Sequence, residues 1–536
     1  MSHERRSPTS AAAIAGDSVR MAELVASLSF AIDLGVGMPM EWVLRTCLTA
    51  MHLGEAAGLD AARRRNLYYL ALLRHVGCTS TSAAAVHDFG GDLGMAEGFA
   101  LDLENPAEGL RFLFTVVGRD RPLPERIRIV AGLLIGGEAI KRENHVAHCE
   151  VAERMAERLA IDPALPGLFR QVYARWDGKG TPKGIKGNEI ALEVRVLHLA
   201  QDAATLYATG GAAAAIEAVR KRSGAGLDPD LSALFLRNSA ALLAPLAAGS
   251  AWDAVLAAEP GAKVRVPEDR LSAALEAIAD FGDFKSPFTL GRSRAVAALA
   301  RAAAEKLGLA QAEAEEIHRA ALLQDIGRVG VPAAIWGKPG ALDEGEWERV
   351  RMHPYFTERI LARAPSLARL AGLASLHHER LDGSGYHRRS QSADLPMAAR
   401  ILAASDAYQA MREERPHRRA LEPKAAADEL LRESKAGRYD RSAVEAVLAA
   451  AGVVPRRGAA HAPVDSGNVA NADLSARELE VLRLMARGRS NKEMGQALFI
   501  SAKTVGHHVQ HIYAKIGVSS RAAAALYAVE NGLLDR

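Results

Sequence analysis

A chain of 536 residues is too long for one hydrophobic core and implies several domains. Its 49% apolar and 24% charged content is that of ordinary folded protein, which argues against a disordered or fibrous chain. Few aromatics and many alanine runs favour helices over sheets, and the net charge is only +3.

Residues 1–20, MSHERRSPTSAAAIAGDS and the two that follow, lack the apolar segment of a signal peptide and read as a disordered tail. No apolar run is long enough for a membrane span; Ser239–Trp252 stops at Asp253. Cys47, Cys78 and Cys149 are odd in number and widely spaced, which disfavours disulfides and fits a reducing cytoplasm.

Two long stretches repeat one another. LALLRHVGCTS from Leu70 parallels AALLQDIGRVG from Ala320, and RWDGKGTPKGIKGNEI from Arg175 parallels RLDGSGYHRRSQSADL from Arg380. Each second block runs into an apolar helix, VRVLHLAQDAA or ARILAASDAY. The first copy holds about 45 extra residues, expected within 80–135. A break at Ala258–Asp269 separates the copies, giving domains at 21–260 and 265–454. Residues 455–473, PRRGAAHAPVDSGNVANAD, read as a flexible tether.

The last segment, 474–536, carries nine Lys and Arg against five Asp and Glu, whereas the other 473 residues sum to −1. A basic tail on a near-neutral body points to a polyanionic partner for the tail alone. Four helices are expected there. Ser475 with Glu478 and Ser490 with Glu493 form capping boxes, and Ser501 and Ser520 open the other two. The first helix has an apolar stripe of Leu479, Leu482 and Met485. The third is closed by Gly517 and has an inner face of Val505, Val509, Ile512 and Ile516.

The segment LSARELEVLRLMARGRSNKEMGQALFISAKTVGHHVQHIYAKIGVSSRAAA resembles LuxR-type helix-turn-helix domains over its whole length. The resemblance implies binding of double-stranded DNA, with the helix Ser501–Ile516 in the major groove. Lys503 and Thr504 would hold phosphates, and His507, Gln510 and His511 would reach bases; His508 and Lys515 complete the candidate DNA-binding set. Gly506 stands where many relatives carry a basic residue, so one contact is lost.

From Leu322 to Tyr408, LLQDIGRVGVP, MHP, HHERLDGSGYH and ILAASDAY resemble an HD-GYP domain, covering about residues 265–450. That family binds two or three metal ions, often iron or manganese, and hydrolyses cyclic di-GMP. By resemblance Asp325 would bridge the metals, His353, His377 and His378 would complete one site, and Asp406 would belong to the other. Arg328 would face phosphate, and Asp382, Gly383, Gly385 and Tyr386 would form the substrate loop, whose usual proline is His387. Two expected histidines are replaced, by Gln324 and Arg292. A fixed guanidinium about 4 Å from a cation would repel it by roughly 4 kcal/mol at an effective dielectric near 20.

The expectation is at most one Fe, Mn or Zn ion, with hydrolysis weak or lost. In the first copy the ligand positions hold Arg74-His75, Val172-Tyr173-Ala174 and Gln201, leaving His148 alone at a ligand-like place, so catalysis is not expected there. The overall expectation is an all-α protein: two degenerate HD-GYP-like domains in tandem, then a four-helix LuxR-type domain. Three readings stand at this point. One is a homodimeric transcriptional regulator whose HD-derived part senses a cyclic dinucleotide or other small ligand or dimerises. The second is a cyclic di-GMP phosphodiesterase with a DNA-binding tail, and the third a protein-interaction scaffold. Surviving histidines could also be packed relics of a lost site.

Overall fold

Runs of alanine, leucine, glutamate and arginine fill most of the chain, and a computed structural model forms them into helices. It describes residues 19–92, 96–247, 249–453 and 474–534. Most of the expected 1–20 tail and the 455–473 tether lie outside these ranges. Among the described residues there is no strand, only isolated bridges such as Tyr173 with Thr181 and Asp382 with Gln391. The all-α expectation holds. No described helix is long and apolar enough to cross a membrane.

The helices used below are α1 (Met21–Val36), α2 (Trp42–Ala56), α3 (Ala61–Leu73), α4 (Leu123–Leu159), α5 (Leu192–Arg222), α6 (Glu268–Asp283), α7 (Arg292–Lys306), α8 (Gln311–Leu323), α9 (His353–Leu361), α10 (Ala368–Ala374), α11 (Met397–Arg412) and α12 (Arg441–Ala450). The C-terminal unit adds α13 (Ala476–Ala486), α14 (Asn491–Leu498), α15 (Ala502–Ile516) and α16 (Arg521–Glu530).

The two copies share one packing scheme. In the first, α2 lies against α3 and α5; in the second, α7 lies against α8 and α11. In each, the helix ending in the HD-equivalent pair breaks into a tight 3₁₀ turn, Val76–Thr81 or Ile326–Gly330. Glycine is obligatory in that turn. A Cβ on Gly327 would lie 2.1 Å from the His353 carbonyl oxygen, and one on Gly77 would lie 2.2 Å from that of His148. This close approach of two backbones seats a histidine-bearing helix beside the HD-equivalent pair in both copies. The extra residues of the first copy fall between Ser80 and His148, as helices Ser82–Asp88, Ala96–Phe99 and Pro106–Thr115 and the front half of α4.

One apolar core runs from Val19 to Leu448 through both copies. α1 packs against α2 and α3 of its own copy and also on the 3₁₀ turn of the second. Lys285, fully buried, is paired at 2.6 Å with Asp92 of the other copy.

The C-terminal unit has its own core, with Val481, Leu482, Met494, Val505 and Ile512 at its centre. Ser475, Ser490, Ser501 and Ser520 all cap their helices as expected. Leu479 is only half-buried, and Val481 takes the central place, because α13 is covered on one flank by α15 and on another by α16. Glu478 closes its capping box and accepts from Lys515 at 2.7 Å. The Lys515 ammonium is the main reason its carboxyl is held down at about 2. A depressed carboxyl stabilises the fold above the ordinary Glu range and loses that contribution as pH falls toward 2. Glu478→Gln should therefore lower the melting temperature at pH 6, and the deficit should shrink by pH 2.5 in parallel thermal melts.

Candidate metal centre and DNA-reading helix

Four elements of the second copy aim polar side chains at one buried point. The 3₁₀ turn supplies Asp325, α9 opens with His353, the segment after α10 carries His377 and His378, and α11 supplies Asp406. His353 and His377 each direct Nδ1 at a carbonyl one turn back, Val350 at 2.6 Å and Ala374 at 2.7 Å. A carbonyl only accepts, so each Nδ1 carries the proton and each Nε2 presents a lone pair. Those two Nε2 atoms face each other at 3.1 Å, and Oδ1 of Asp325 lies 3.5 Å from both. That oxygen is buried without a hydrogen-bond donor.

Two lone pairs and a carboxylate oxygen without a donor, at these separations, suit a shared cation. Ligand atoms about 2.1 Å from an ion and 3.1 Å apart subtend about 95°, an ordinary coordination angle. The ligand atoms of His353, His377 and His378 all lie within 4.8 Å of one another. Burial, reinforced by neighbouring imidazoles, pushes His353 down to about 3 and His378 well below the usual histidine range. Neutral imidazoles are what a metal ion requires. The residues present fit one ion.

The neighbouring position is different. Arg292, 3% exposed at the head of α7, sends Nε to Asp325 Oδ2 at 3.1 Å, Nη2 to Asp406 Oδ1 at 2.6 Å and Nη1 to Glu413 Oε2 at 2.6 Å. Gln324 donates to the same Asp406 oxygen at 2.7 Å. Burial opposes the charge on Arg292, but Asp406, Glu413 and Asp325 outweigh it and hold the guanidinium more firmly protonated than usual. The sequence expectation was of a cation that repels a metal. Instead the guanidinium itself binds both carboxylates expected to remain for the first ion, so a fixed organic cation occupies their coordinating oxygens.

Arg328 stacks on Trp336 at 3.9 Å and touches Asp325 at 3.4 Å, while its Nε and Nη2 are buried without acceptors. Its remaining donors suit an oxyanion beside the imidazole cluster. Tyr386 stacks on His378 with ring centroids 4.6 Å apart. Gly385 lets the loop press onto the 378–380 backbone, since a Cβ would lie 2.6 Å from the His378 carbonyl oxygen. Glu379 fixes the loop from inside by accepting from the amides of Arg388 and Ser390, each at 2.7 Å. Asp382 and Gly383 are turned away. Asp382 accepts from the amide and hydroxyl of Ser384, and Gly383 supplies a φ of +76°. They shape the turn and do not join the cluster. His387, in the place of the usual proline, sits 3.5 Å from Glu358.

Sequence reasoning missed Glu413 and Arg415. Glu413 completes the clamp on Arg292, and Arg415 pairs with Glu413 at 2.8 Å and is lowered to about 10 by burial. Neither lies in a motif; the signal available was only the charged run after α11.

In the C-terminal unit, α15 exposes Lys503, Thr504, His507, Gln510, His511 and Lys515, while His508 is half-buried and Val505, Val509, Ile512 and Ile516 face the core. Thr504 shares a hydrogen bond with the capping Ser501, and Lys515 is tied to Glu478. The unit is docked on the body through α16 and the turn before it. Glu150 of α4 accepts from the Ser519 amide and Ser520 hydroxyl, Arg154 pairs with Glu530 at 3.0 Å, and Leu526 packs with Val151 and Phe284. The outward face of α15 stays open in this docked arrangement.

These features define an HD-type helical body joined to a helix-turn-helix unit. Residues 139–231 and 277–443 match the HD domain, and residues 472–528 match the bacterial regulatory proteins of the luxR family. The chain is 30% identical over 413 residues to the 3′3′-cGAMP-specific phosphodiesterase 3 of Vibrio cholerae, covering 76% of this chain and 90% of that protein. It is 35% identical over 184 residues to a cyclic di-GMP phosphodiesterase of Thermotoga maritima, covering 34% of this chain and half of that protein. The crystal structure of a cyclic GMP-AMP-specific phosphodiesterase of V. cholerae superposes with a TM-score of 0.57 at 27% identity, over 82% of this chain and 99% of that one. The chain belongs to the HD-GYP family of HD-domain proteins and ends in a LuxR-type DNA-binding domain.

Proposed function

We propose that the chain is a DNA-binding transcriptional regulator whose second HD copy binds one metal ion and a phosphate-bearing ligand without hydrolysing it. The observation that carries this reading is the grip of Arg292 on Asp325, Asp406 and Glu413. Hydrolysis at a centre of this type needs two cations bridged by a carboxylate, so that a water is deprotonated between them and phosphate charge is offset. A guanidinium offsets charge but has no vacant coordination position for water. His353, His377, His378 and Oδ1 of Asp325 would hold the single ion, which would supply Lewis-acid contact to a phosphate oxygen, with Arg328 as second anchor. Binding is kept and the second Lewis acid is lost.

α4 supports a regulatory role. Its C-terminal half holds the DNA-binding unit through Glu150 and Arg154, so a shift of this one helix changes the docking of that unit. A homodimer reading two half-sites is the assembly proposed.

The enzymatic reading draws on the names of the relatives, and turnover separates the two. Incubation with 3′3′-cGAMP and with cyclic di-GMP, in manganese or ferrous iron, should leave both intact by mass spectrometry. Linearisation that Asp325→Ala abolishes would overturn the reading. Selection from a random DNA pool should return a defined duplex bound in a salt-sensitive manner. Gln510→Ala and His507→Ala should relax its sequence preference, whereas Lys503→Ala should weaken all duplexes alike and reduce the salt slope by about one.

A further inference from the structure

A cavity of about 650 Å³ opens in the first copy, over the place that corresponds to the histidine cluster of the second. At its floor lies Arg74, the counterpart of Gln324, 9% exposed and with Nε and Nη1 lacking any hydrogen-bond partner. No carboxylate among the described residues pairs with it. The other cations of the cavity are matched: Arg175 by Asp102 at 2.8 Å, Arg222 by Asp202 at 2.8 Å, and Lys141 by Glu104 and Glu138. Burial keeps the neighbouring His75, His145 and His148 neutral at ordinary pH. Among the described residues lining the cavity, Arg74 is thus the cation whose donors are left without a carboxylate partner, while Lys141 faces two. An isolated buried guanidinium is costly, and an anion seated against its free donors removes that cost.

The walls say what the rest of the ligand is. Phe99, Phe112, Leu113 and Leu133 line the cavity, and Leu134 and Ile135 of α4 stand at its rim 60% and 91% exposed. Apolar surface of this extent around a single unpaired cation suits a molecule with one charged end and an apolar body, and the volume accommodates a body of drug-like size. The same walls disfavour a nucleotide with two phosphates, because a second charge would meet either cations already matched or aliphatic side chains.

We infer that the first HD copy is a binding site for an amphipathic organic anion, its carboxylate or phosphate held by Arg74 and its apolar body lying against Phe99, Phe112 and the front half of α4. The eroded metal position has become an anion anchor, independent of whether the second copy retains its ion.

Calorimetric titration of the full-length protein with decanoate, decyl phosphate, decanol, inorganic phosphate and 3′3′-cGAMP tests this. Decanoate or decyl phosphate should saturate near one molecule per chain and bind at least about tenfold more tightly than decanol, the expected worth of one charge-assisted contact. Which of the two binds more tightly identifies the head group. Inorganic phosphate, with no apolar body, should bind far more weakly. Arg74→Gln should erase the advantage of the anions over decanol. Leu134→Glu, at an exposed position that leaves folding intact, should weaken the anions by setting a carboxylate at the mouth. Affinity for both decanoate and decyl phosphate no greater than for decanol in the unaltered protein would overturn the assignment even if Arg74→Gln failed to fold. Anion binding that survives Arg74→Gln would do the same, as would 3′3′-cGAMP binding that Leu134→Glu weakens while neither decyl compound binds.

Discussion

Replacing Arg292 and Gln324 together by histidine should take the chain from one bound ion to two, and from no turnover to measurable cleavage of a cyclic dinucleotide. The double change releases Asp406, which now spends one oxygen on both Arg292 and Gln324, and frees Oδ2 of Asp325 from Arg292. It also supplies two imidazoles at positions already walled by α7, α8 and α11. Asp325 and Asp406, with the new imidazoles, would then be free to hold a second ion, which would supply the Lewis acidity that the guanidinium lacks. The gain should need both changes, since each lone histidine leaves the other intruder on the same carboxylate. Metal content and product formation, measured on the two single variants and the double variant, check this; a double variant with one ion and no product would count against Arg292 and Gln324 as the cause.

Removing the guanidinium without offering a metal should be severe. Arg292→Met should destabilise the protein by about 3–5 kcal/mol at neutral pH, the usual penalty for stripping one partner from a buried ionic cluster. Asp325 is held well below the usual carboxylate range: burial opposes its ionisation, but the guanidiniums of Arg328 and Arg292 outweigh it. A carboxyl depressed in this way stabilises the fold above the ordinary Asp range and loses that contribution as pH falls. Without Arg292 the burial of Asp325 is less well offset and its carboxylate costs more to keep ionised, so the gap between variant and parent should be widest near pH 7 and narrow toward pH 4. Denaturant unfolding at the two pH values reads both effects. A variant as stable as the parent at pH 7 would show that the cluster does not depend on its central cation.

Much of this was legible in the sequence because it depends on short, local signals. Four serine caps placed the C-terminal helices, and the apolar offsets from Val505 to Ile516 separated the core face of α15 from its open face. Asp325, His353, His377 and His378 could be grouped because they sit in motifs whose turns the backbone obeys at Gly327 and Gly385. What the sequence hid was non-local. Glu413 stands 121 positions from Arg292 and belongs to no motif, so the clamp could not be foreseen, and Arg292 was expected to repel a metal where it binds the ligands instead. The turn residues Asp382 and Gly383 were grouped with the substrate loop, yet their bonds point along the turn. Arg74 was visible as a substitution, but its lack of partners depends on the cavity the inserted helices enclose.

Plasma mass spectrometry of full-length protein, purified without added metal and compared with His377→Ala, tests the single-ion centre most directly. About one iron, manganese or zinc ion per chain, lost in the variant, is the expected outcome. Two ions per chain, or one that survives removal of His377, would contradict it.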